Sequence, residues 1–266
     1  MTTFNLNVPI VSGVRTAVGR AKKGTLINTR PDDLLATALD GAIERTEGLE
    51  SGDVGDVVMG CAMPEGSQGM NIARIAVLRA GWPAEVSAET INRFCSSGLQ
   101  AIAHGAQAIQ CGQEDVVVAG GVESMTQVPM GGHVMSFNPH LSDHHPEAYM
   151  AMGATAERVA DEFGVTREQQ DEYATKAHQK AVAAIEAGRF KDQIVPVKAR
   201  VFKDGKEEEV VFDTDECPRP DTSVEGLSKL RTVFKVGGTV TAGNASPMND
   251  GAAAVVLTSE AKLKEL

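Results

Sequence analysis

The sequence has 266 residues, of which 42% are hydrophobic and 23% charged, and its formal net charge at pH 7 is −11. This length suits one large domain or two smaller ones, and the composition is that of a globular protein rather than a disordered one. The negative charge argues against a nucleic-acid partner, and an anionic small-molecule substrate would need a local basic patch.

The four cysteines are spaced like neither a zinc site nor a CxxC redox motif; they are Cys61, Cys95, Cys111 and Cys217. So few cysteines in a chain of this length indicate reduced thiols in a reducing compartment. The segment 1–7 lacks the basic and apolar regions of a secretory signal. No run reaches the roughly 18 apolar residues of a membrane span. We therefore expect a cytoplasmic protein with no membrane partner.

The first 120 residues alternate between β-like runs and amphipathic helical runs. The predicted strands are 8–12, 56–60, 86–91 and 115–119, and the predicted helices are 31–47, 71–80 and one that opens near residue 96. Apolar strands that alternate with helices indicate a sheet covered on both faces. The fold class is therefore predicted to be α/β.

The regular alternation of predicted strands and helices stops after residue 120. Residues 121–150 show no clear period, and the predicted elements that follow are helices 155–163 and 167–187, β runs 194–197 and 210–212 around a turn at 203–206, a strand 252–258 and a helix from 260. A strand that continues the first sheet after about 120 residues indicates an inserted α+β domain rather than a tandem one.

The segment 92–101 (NRFCSSGLQA) places Cys95 between a β-like run and a helical one. Ser96, Ser97 and Gly98 are small residues that suit the start of a helix. The N–H groups at a helix start favour a thiolate, which is the reactive form of cysteine. Cys95 is therefore a candidate nucleophile for acyl transfer. The alternative is a small apolar side chain buried at a strand end.

The histidines offer no clear partner for Cys95. His104 follows nine residues later on the predicted helix, about half a turn out of phase, so the base that activates Cys95 should come from elsewhere. His140 and His144 have the spacing of helical metal ligands, but prolines bracket them and no helical pattern surrounds them. With His133, His145 and Asp143, they are interpreted as parts of a loop, and no metal is expected.

Two glycine-rich loops have open interpretations. The basic loop 19–24 is either a phosphate contact or a solvated loop. The turn-rich segment 244–251 is either a plain connection or a loop pressed against a slender ligand, with Ser246 offering a hydroxyl. No glycines are spaced as in a dinucleotide fingerprint, and there is no Walker A motif.

Five ordered segments resemble those of the thiolase family, particularly the degradative 3-ketoacyl-CoA type. They are 92–101 (NRFCSSGLQA), 120–126 (GGVESMT), 152–157 (MGATAE), 219–222 (RPDT) and 238–251 (GTVTAGNASPMNDG). The resemblance covers nearly the whole chain. It implies an N-terminal thiolase domain, 1–120 plus 243–266, that carries the nucleophile, and an inserted loop domain, 121–242, that binds CoA.

The resemblance also implies a reaction and its residues. Cys95 would attack the 3-keto carbonyl of a 3-ketoacyl-CoA, releasing acetyl-CoA, and CoA would then take the acyl group from Cys95; the reverse is a Claisen condensation. CoA is a co-substrate, and no other cofactor is implied. Arg219 would lie near the nucleotide of CoA, and Met152, Ala242 and Ser246 would line the pantetheine channel. Gly226 stands where some biosynthetic relatives have a CoA-contacting serine.

Members of the family carry a second half with a Gly-His-Pro motif, an Asn-Glu segment and a Cys-x-Gly motif, and this sequence contains none of them. The resemblance therefore implies that the polypeptide alone does not turn over, and that the complete protein forms dimers or tetramers. A non-catalytic module that binds CoA or another chain is the main alternative. A ketoacyl-synthase-type condensing enzyme and a cysteine hydrolase fit less of the sequence.

Overall fold

The computed structural model describes residues 7–266 and divides the chain into two compact units. Unit 1 comprises the chain up to His133, Lys191–Glu216 and Asn249–Leu266, and unit 2 comprises Val134–Phe190 and Cys217–Met248. Residues 1–6, which fall in the segment predicted to carry no secretory signal, lie outside the described range.

The helices and strands follow one another in a mainly alternating order through unit 1. In chain order the elements are β1 (Ile10–Arg15), β2 (Gly19–Arg20), α1 (Pro31–Glu44), β3 (Asp56–Gly60), α2 (Ile72–Arg79), β4 (Ser87–Ile91), α3 (Ser97–Gln110), β5 (Val116–Ser124), α4 (Pro139–His144), α5 (Met152–Phe163), α6 (Arg167–Glu186), β6 (Val197–Lys203), β7 (Lys206–Phe212), α7 (Val224–Ser228), β8 (Asn249–Thr258) and α8 (Glu260–Leu263).

Unit 1 is built on a mixed sheet with the strand order β1-β8-β5-β3-β4, and β2 pairs with β8. Strand β3 is parallel to β4 and β5, whereas β8 is antiparallel to β5 and β1. The predicted α/β class is confirmed, and the sheet is mixed. Strand β8 returns to the sheet between β1 and β5, as the sequence predicted for a strand after a long excursion.

Helices cover both faces of this sheet. On one face, Ala101 and Ile109 of α3 pack against Val58, Val117 and Leu257. The alternate strand residues point to the other face and are buried as well; they include Val57, Met59, Val116, Val118 and Val256. Helix α1 contacts β8 and β5 and contributes a fully buried set of leucines, Leu34, Leu35 and Leu39.

The hairpin in unit 1 forms, but its first strand starts later than predicted. Of the predicted run 194–197, Ile194 forms a single bridge with Arg15 and Val197 begins β6, but residues 195 and 196 belong to no strand. Pro196 has no N–H to donate to a ladder, which fits the later start. The two strands turn at Asp204 and Gly205, whose φ angles of +51° and +76° are those of a tight hairpin turn.

Two predicted loops also contain strand residues. Residues 19 and 20 of the basic loop form β2, and residues 249–251 of the turn-rich segment belong to β8. In β8, the Asp250 side chain is buried. It accepts hydrogen bonds from the Ser124 hydroxyl at 3.2 Å and the Thr126 N–H at 2.9 Å, which stabilise a turn-forming residue within the strand.

Unit 2 contains helices α4 to α7. The sequence predicted a loop around His140 and His144, and this prediction is wrong because α4 spans Pro139–His144. The two imidazole rings stack with their centroids 4.2 Å apart. Pro139 stands in its first turn, where a proline is tolerated, and the Asn138 side chain caps the helix by accepting the Leu141 N–H.

Candidate active site

Cys95 lies in unit 1, in a single 3-10 turn, Phe94–Ser96, that joins β4 to α3. It is solvent-exposed, and it is a free thiol. The preceding residue, Phe94, has a φ of +48°, in the left-handed region that residues with a side chain seldom adopt. This turn therefore places Cys95 two residues before the first residue of α3, next to the helix start that the sequence predicted.

Ser97 closes the turn from its helical side. Its buried hydroxyl accepts a hydrogen bond from the Arg93 N–H at 2.8 Å and donates one to the Phe94 carbonyl at 2.6 Å. The hydroxyl thus fixes the backbone on both sides of the left-handed residue. Side-chain bonds of this kind commonly organise helix starts.

Glycines let the strands approach the first turn of α3. A Cβ placed on Gly60 of β3 would lie 2.5 Å from the Ser97 carbonyl carbon, closer than real Cβ contacts. One placed on Gly121 of β5 would lie 2.9 Å from the Gly60 carbonyl oxygen, and one on Gly120 would collide with the Ala253 carbonyl. Only glycine fits this close backbone packing without a shift.

The Glu123 carboxylate organises the loop that follows β3. It accepts the Ala62 N–H at 2.7 Å, the Met63 N–H at 3.3 Å and the Gln68 amide at 2.7 Å. Gln68 is fully buried, and its oxygen accepts the Ser124 N–H. This network joins the 61–68 loop to the end of β5.

Cys61 lies beside this carboxylate and differs sharply from Cys95. Its side chain is buried, and burial together with the nearby negative charge of Glu123 raises the pKa of the Cys61 thiol to about 12. Cys61 is therefore a protonated, inert thiol at neutral pH.

The histidines of unit 1 have other neighbours. His104 lies on the surface of α3 with its Nδ1 3.8 Å from a carboxylate oxygen of Glu89. The backbone N–H of His133 donates to Glu65 at 2.7 Å, and the His133 ring lies beside Gly66. Neither of these contacts involves Cys95.

The residues predicted to bind CoA belong to unit 2, whereas Cys95 belongs to unit 1. Met152 is the first residue of α5, and Arg219 forms an exposed ion pair with Asp221 at 3.2 Å. Ala242 and Ser246 are exposed in the loop before β8. Their roles, and that of Cys95, stay predictions.

A buried carboxylate holds this loop. Glu157 of α5 accepts the Thr239 N–H at 2.9 Å and the Val240 N–H at 2.7 Å. Burial opposes ionisation of Glu157, but these hydrogen bonds outweigh burial and hold its pKa below the usual value. Glycine at position 238 leaves room for the carboxylate.

A second buried carboxylate, Asp171 of α6, extends the same arrangement. It accepts the Arg167 Nε–H at 2.7 Å and the Asn244 amide at 2.9 Å. The Asn244 oxygen in turn accepts the Thr241 N–H at 2.7 Å. The predicted contact residue Ala242 thus sits in a loop tied to two helices by buried polar groups.

Sequence reasoning gave these supporting side chains no role. The missed residues are Gln68, Glu123, Glu157, Asp171 and Asn244. Glu123, Glu157 and Asn244 stood within quoted motifs, and for the two carboxylates a charged residue among small and apolar neighbours was the available signal. Among residues 7–266 no three His, Cys, Asp or Glu side chains group as metal ligands would, and no helix there is long and apolar enough to cross a membrane.

Comparison with known proteins places this architecture in a family. The family model described as "Thiolase, N-terminal domain" matches residues 8–261. The chain is 50% identical over 262 residues to a 3-ketoacyl-CoA thiolase of Bacillus subtilis, covering 97% of this chain and 67% of that protein. It is 44% identical to an acetyl-CoA acetyltransferase of Pseudomonas aeruginosa, covering 98% and 68% respectively.

A solved structure agrees with these relatives. The crystal structure of the acetyl-CoA acetyltransferase of Bacillus anthracis superimposes with a TM-score of 0.84 at 40% identity, covering 97% of this chain and 67% of that one. The chain spans about two thirds of the length of the relatives that it matches. Because the family model and these relatives match nearly all of its residues, the chain belongs to the thiolase family.

Proposed function

We propose that this protein transfers acyl groups to CoA through Cys95. The Cys95 thiolate attacks the 3-keto carbonyl of a 3-ketoacyl-CoA, the C2–C3 bond breaks, and the departing carbon takes a proton to give acetyl-CoA. The thiol of a free CoA then loses its proton and takes the acyl group from Cys95, which is left as a thiolate; this proton balances the one taken up by the departing carbon. The reverse sequence is a Claisen condensation. The observation that supports this proposal is the exposed thiol of Cys95, in the turn before α3, in a chain of this family.

The other described thiols of unit 1 suit this role less well. Cys61 is buried and holds its proton at neutral pH, because burial and Glu123 raise its pKa to about 12. Cys111 is exposed but caps the carboxyl end of α3, where a helix presents carbonyl oxygens rather than N–H donors. Of the two ends of α3, the start presents N–H donors to an anion, and Cys95 lies two residues before it.

CoA binding by unit 2 belongs to the same proposal. The exposed residues Met152, Ala242 and Ser246 would line the pantetheine arm, and Arg219 would attract the nucleotide phosphates. The fixed geometry of the loop, tied by Glu157 and Asp171, supports this assignment because a preorganised loop binds a flexible ligand at lower entropic cost.

We further propose that the 266-residue polypeptide does not turn over alone. In unit 1, the His104 ring lies near Glu89 and the His133 ring lies beside Gly66, so a general base for Cys95 is expected from a segment that corresponds to the remaining third of the relatives. A non-catalytic module that binds CoA or another chain is the competing function, which also fits a chain that matches two thirds of its relatives' length. Cytoplasmic location and dimers or tetramers remain predictions.

The test is an acylation assay with matched cysteine variants. The chain, Cys95→Ser and Cys111→Ser are incubated with acetoacetyl-CoA, and peptide mass spectrometry locates any acetyl adduct. Free acetyl-CoA is measured in parallel, with and without the C-terminal third of the Bacillus subtilis relative. The proposal expects an adduct on Cys95 only, and multiple turnovers only when the added polypeptide restores a complete site.

The other outcomes separate the alternatives. Robust thiolysis by the chain alone would refute the proposed lack of turnover. Absence of both the adduct and free acetyl-CoA under either condition would favour the non-catalytic module. An adduct that persists in Cys95→Ser would remove Cys95 from the proposed mechanism.

A further inference from the structure

The side chain of Asn92 connects two loops that meet at the candidate nucleophile. Its amide donates a hydrogen bond to the Ala62 carbonyl oxygen at 3.0 Å. Its oxygen accepts the Phe94 N–H at 2.8 Å. The second contact spans two residues, which is the geometry of an Asx turn. Asn92 therefore ties the turn that carries Cys95 to the loop after β3.

The loop on the other side of this contact is itself held. Ala62 forms two hydrogen bonds. Its carbonyl oxygen accepts the Asn92 amide, and its N–H donates to the Glu123 carboxylate at 2.7 Å. Glu123 belongs to β5, in the centre of the sheet. A continuous series of hydrogen bonds thus runs from a central strand, through Ala62 and Asn92, to the backbone of Phe94.

Phe94 is the residue that needs such support. Its φ of +48° is disfavoured for any residue with a Cβ, so the turn would relax unless other contacts held it. Asn92 holds its N–H, and Ser97 holds its carbonyl at 2.6 Å. Cys95 is the next residue, so the direction of its side chain follows from the backbone angles of Phe94.

We propose that Asn92 is a positioning residue for Cys95. By clamping the left-handed turn at Phe94, it holds the backbone that sets the direction of the Cys95 side chain, two residues before the start of α3. This inference rests on the proposed function, in which Cys95 is the nucleophile. Asn92 acts through the backbone of Phe94 and is not assigned a contact with substrate.

The proposal makes a specific claim about coupling between positions 92 and 94. Glycine adopts positive φ angles at little steric cost, so a turn with glycine at position 94 should keep its shape without the clamp. Loss of Asn92 should therefore matter in the natural sequence and should matter much less in a Phe94→Gly background.

The test measures alkylation of individual cysteines in the 266-residue chain. Iodoacetamide is added at pH 7.5, and peptide mass spectrometry follows the rate at Cys95 relative to exposed Cys111 in the same molecule. Labelling of buried Cys61 reports unfolding. The variants are Asn92→Ala, Asn92→Ser, Phe94→Gly and the double variant Asn92→Ala/Phe94→Gly.

A matched control is Asn71→Ala. Asn71 also has a positive φ and caps a helix, α2, while its amide donates to the Ala88 carbonyl at 2.9 Å. Its described bonds do not reach the 92–97 turn. A general loss of stability should therefore affect Asn71→Ala and Asn92→Ala alike, whereas mispositioning of Cys95 should affect only the latter.

The expected result is a fall of about fivefold in the Cys95:Cys111 rate ratio for Asn92→Ala, the equivalent of one lost hydrogen bond. Asn92→Ser should retain most of the wild-type ratio because a serine hydroxyl forms the equivalent turn. The double variant should lie within about twofold of Phe94→Gly, and Asn71→Ala should match the wild type.

Three results would overturn the proposal: an unchanged ratio in Asn92→Ala, an equal fall in Asn71→Ala, or a fall of the same size in both position-94 backgrounds. If Asn92→Ala exposes Cys61, the decision passes to the Asn92→Ser and position-94 variants. The labelling requires no acyl transfer, so its outcome is distinct from failure of the proposed function, which appears as absence of the Cys95 adduct.

Discussion

Gly60 of β3 and Ser97 of α3 approach so closely that a Cβ on Gly60 would lie 2.5 Å from the Ser97 carbonyl carbon. Ser97 is also the residue whose hydroxyl bonds to the backbone on both sides of the left-handed Phe94. The packing of the sheet against α3 and the shape of the nucleophile turn are therefore set at one point of the structure.

Gly60→Ala is expected to lower the free energy of unfolding by about 1–3 kcal/mol, because a buried methyl group would have to push the backbone of α3 away. Gly13→Ala in β1 is the control, since its Cβ would meet only Val255 at an ordinary 3.6 Å. Urea unfolding followed by circular dichroism measures both variants. Equal stability of the two would show that the contact at Gly60 relaxes freely.

Cys61 should make the protein less stable in alkaline solution. Its pKa is raised from 9.0 to about 12 in the folded state by burial and by Glu123. Between these values the unfolded thiol loses its proton while the folded thiol keeps it, so stability falls as pH rises, by up to about 1.4 kcal/mol per pH unit.

The measurement compares the slope of unfolding free energy against pH, from pH 8 upwards, in the wild type and Cys61→Ala. The variant should show the shallower decline, and Cys111→Ala should keep the wild-type slope because Cys111 is exposed. Parallel slopes in all three proteins would contradict the raised pKa.

Glu157 should stabilise unit 2 in its ionised form. Its pKa is lowered because hydrogen bonds from Thr239 and Val240 outweigh burial. Its contribution is present above the unfolded pKa, near 4.5, and is lost as pH falls through the lower folded value. Glu157→Gln should therefore be less stable than the wild type at pH 7, and the gap should narrow below about pH 4.5.

Urea unfolding at pH 7 and at lower pH measures this gap. Glu162→Gln is the control, since Glu162 is an exposed residue of the same helix, 3.7 Å from Arg158. A gap for Glu157→Gln that stays constant with pH would mean that the charge of the carboxylate is not what stabilises the loop.

Asp171→Ala should loosen the loop that carries Ala242. The substitution removes the acceptor of the Arg167 and Asn244 hydrogen bonds and leaves a largely buried guanidinium without its carboxylate, at a cost of about 3 kcal/mol. Hydrogen exchange of residues 237–246 should accelerate. Glu172→Ala, at an exposed neighbouring position on α6, should leave this exchange unchanged, and similar protection in both variants would refute the assignment.

Several elements were predictable because their signal is local. The apolar spacing after Cys95 predicted α3, the run 56–60 matched β3 residue for residue, and the pair Asp204 and Gly205 predicted the hairpin turn. The small residues that follow Cys95 predicted its place at a helix start. These features depend on residues within a few positions of one another, so the sequence order contains them.

Other features depend on distant partners. Pairing with the end of β5 drew Asp250 into a strand, although aspartate favours turns. Helix α4 formed where no periodic pattern was visible, with Asn138 as its cap.

The sequence by itself determined the α/β alternation, the family and the candidate nucleophile Cys95. Only the tertiary structure showed why the turn at Cys95 keeps its shape and why the loop at Ala242 is fixed. The decisive bonds join residues about 30 to 80 positions apart, as in Asn92 to Ala62 and Glu157 to Val240. Hydrophobic periodicity reports which face of an element is buried, but a buried polar group is satisfied by whichever donor the fold brings to it.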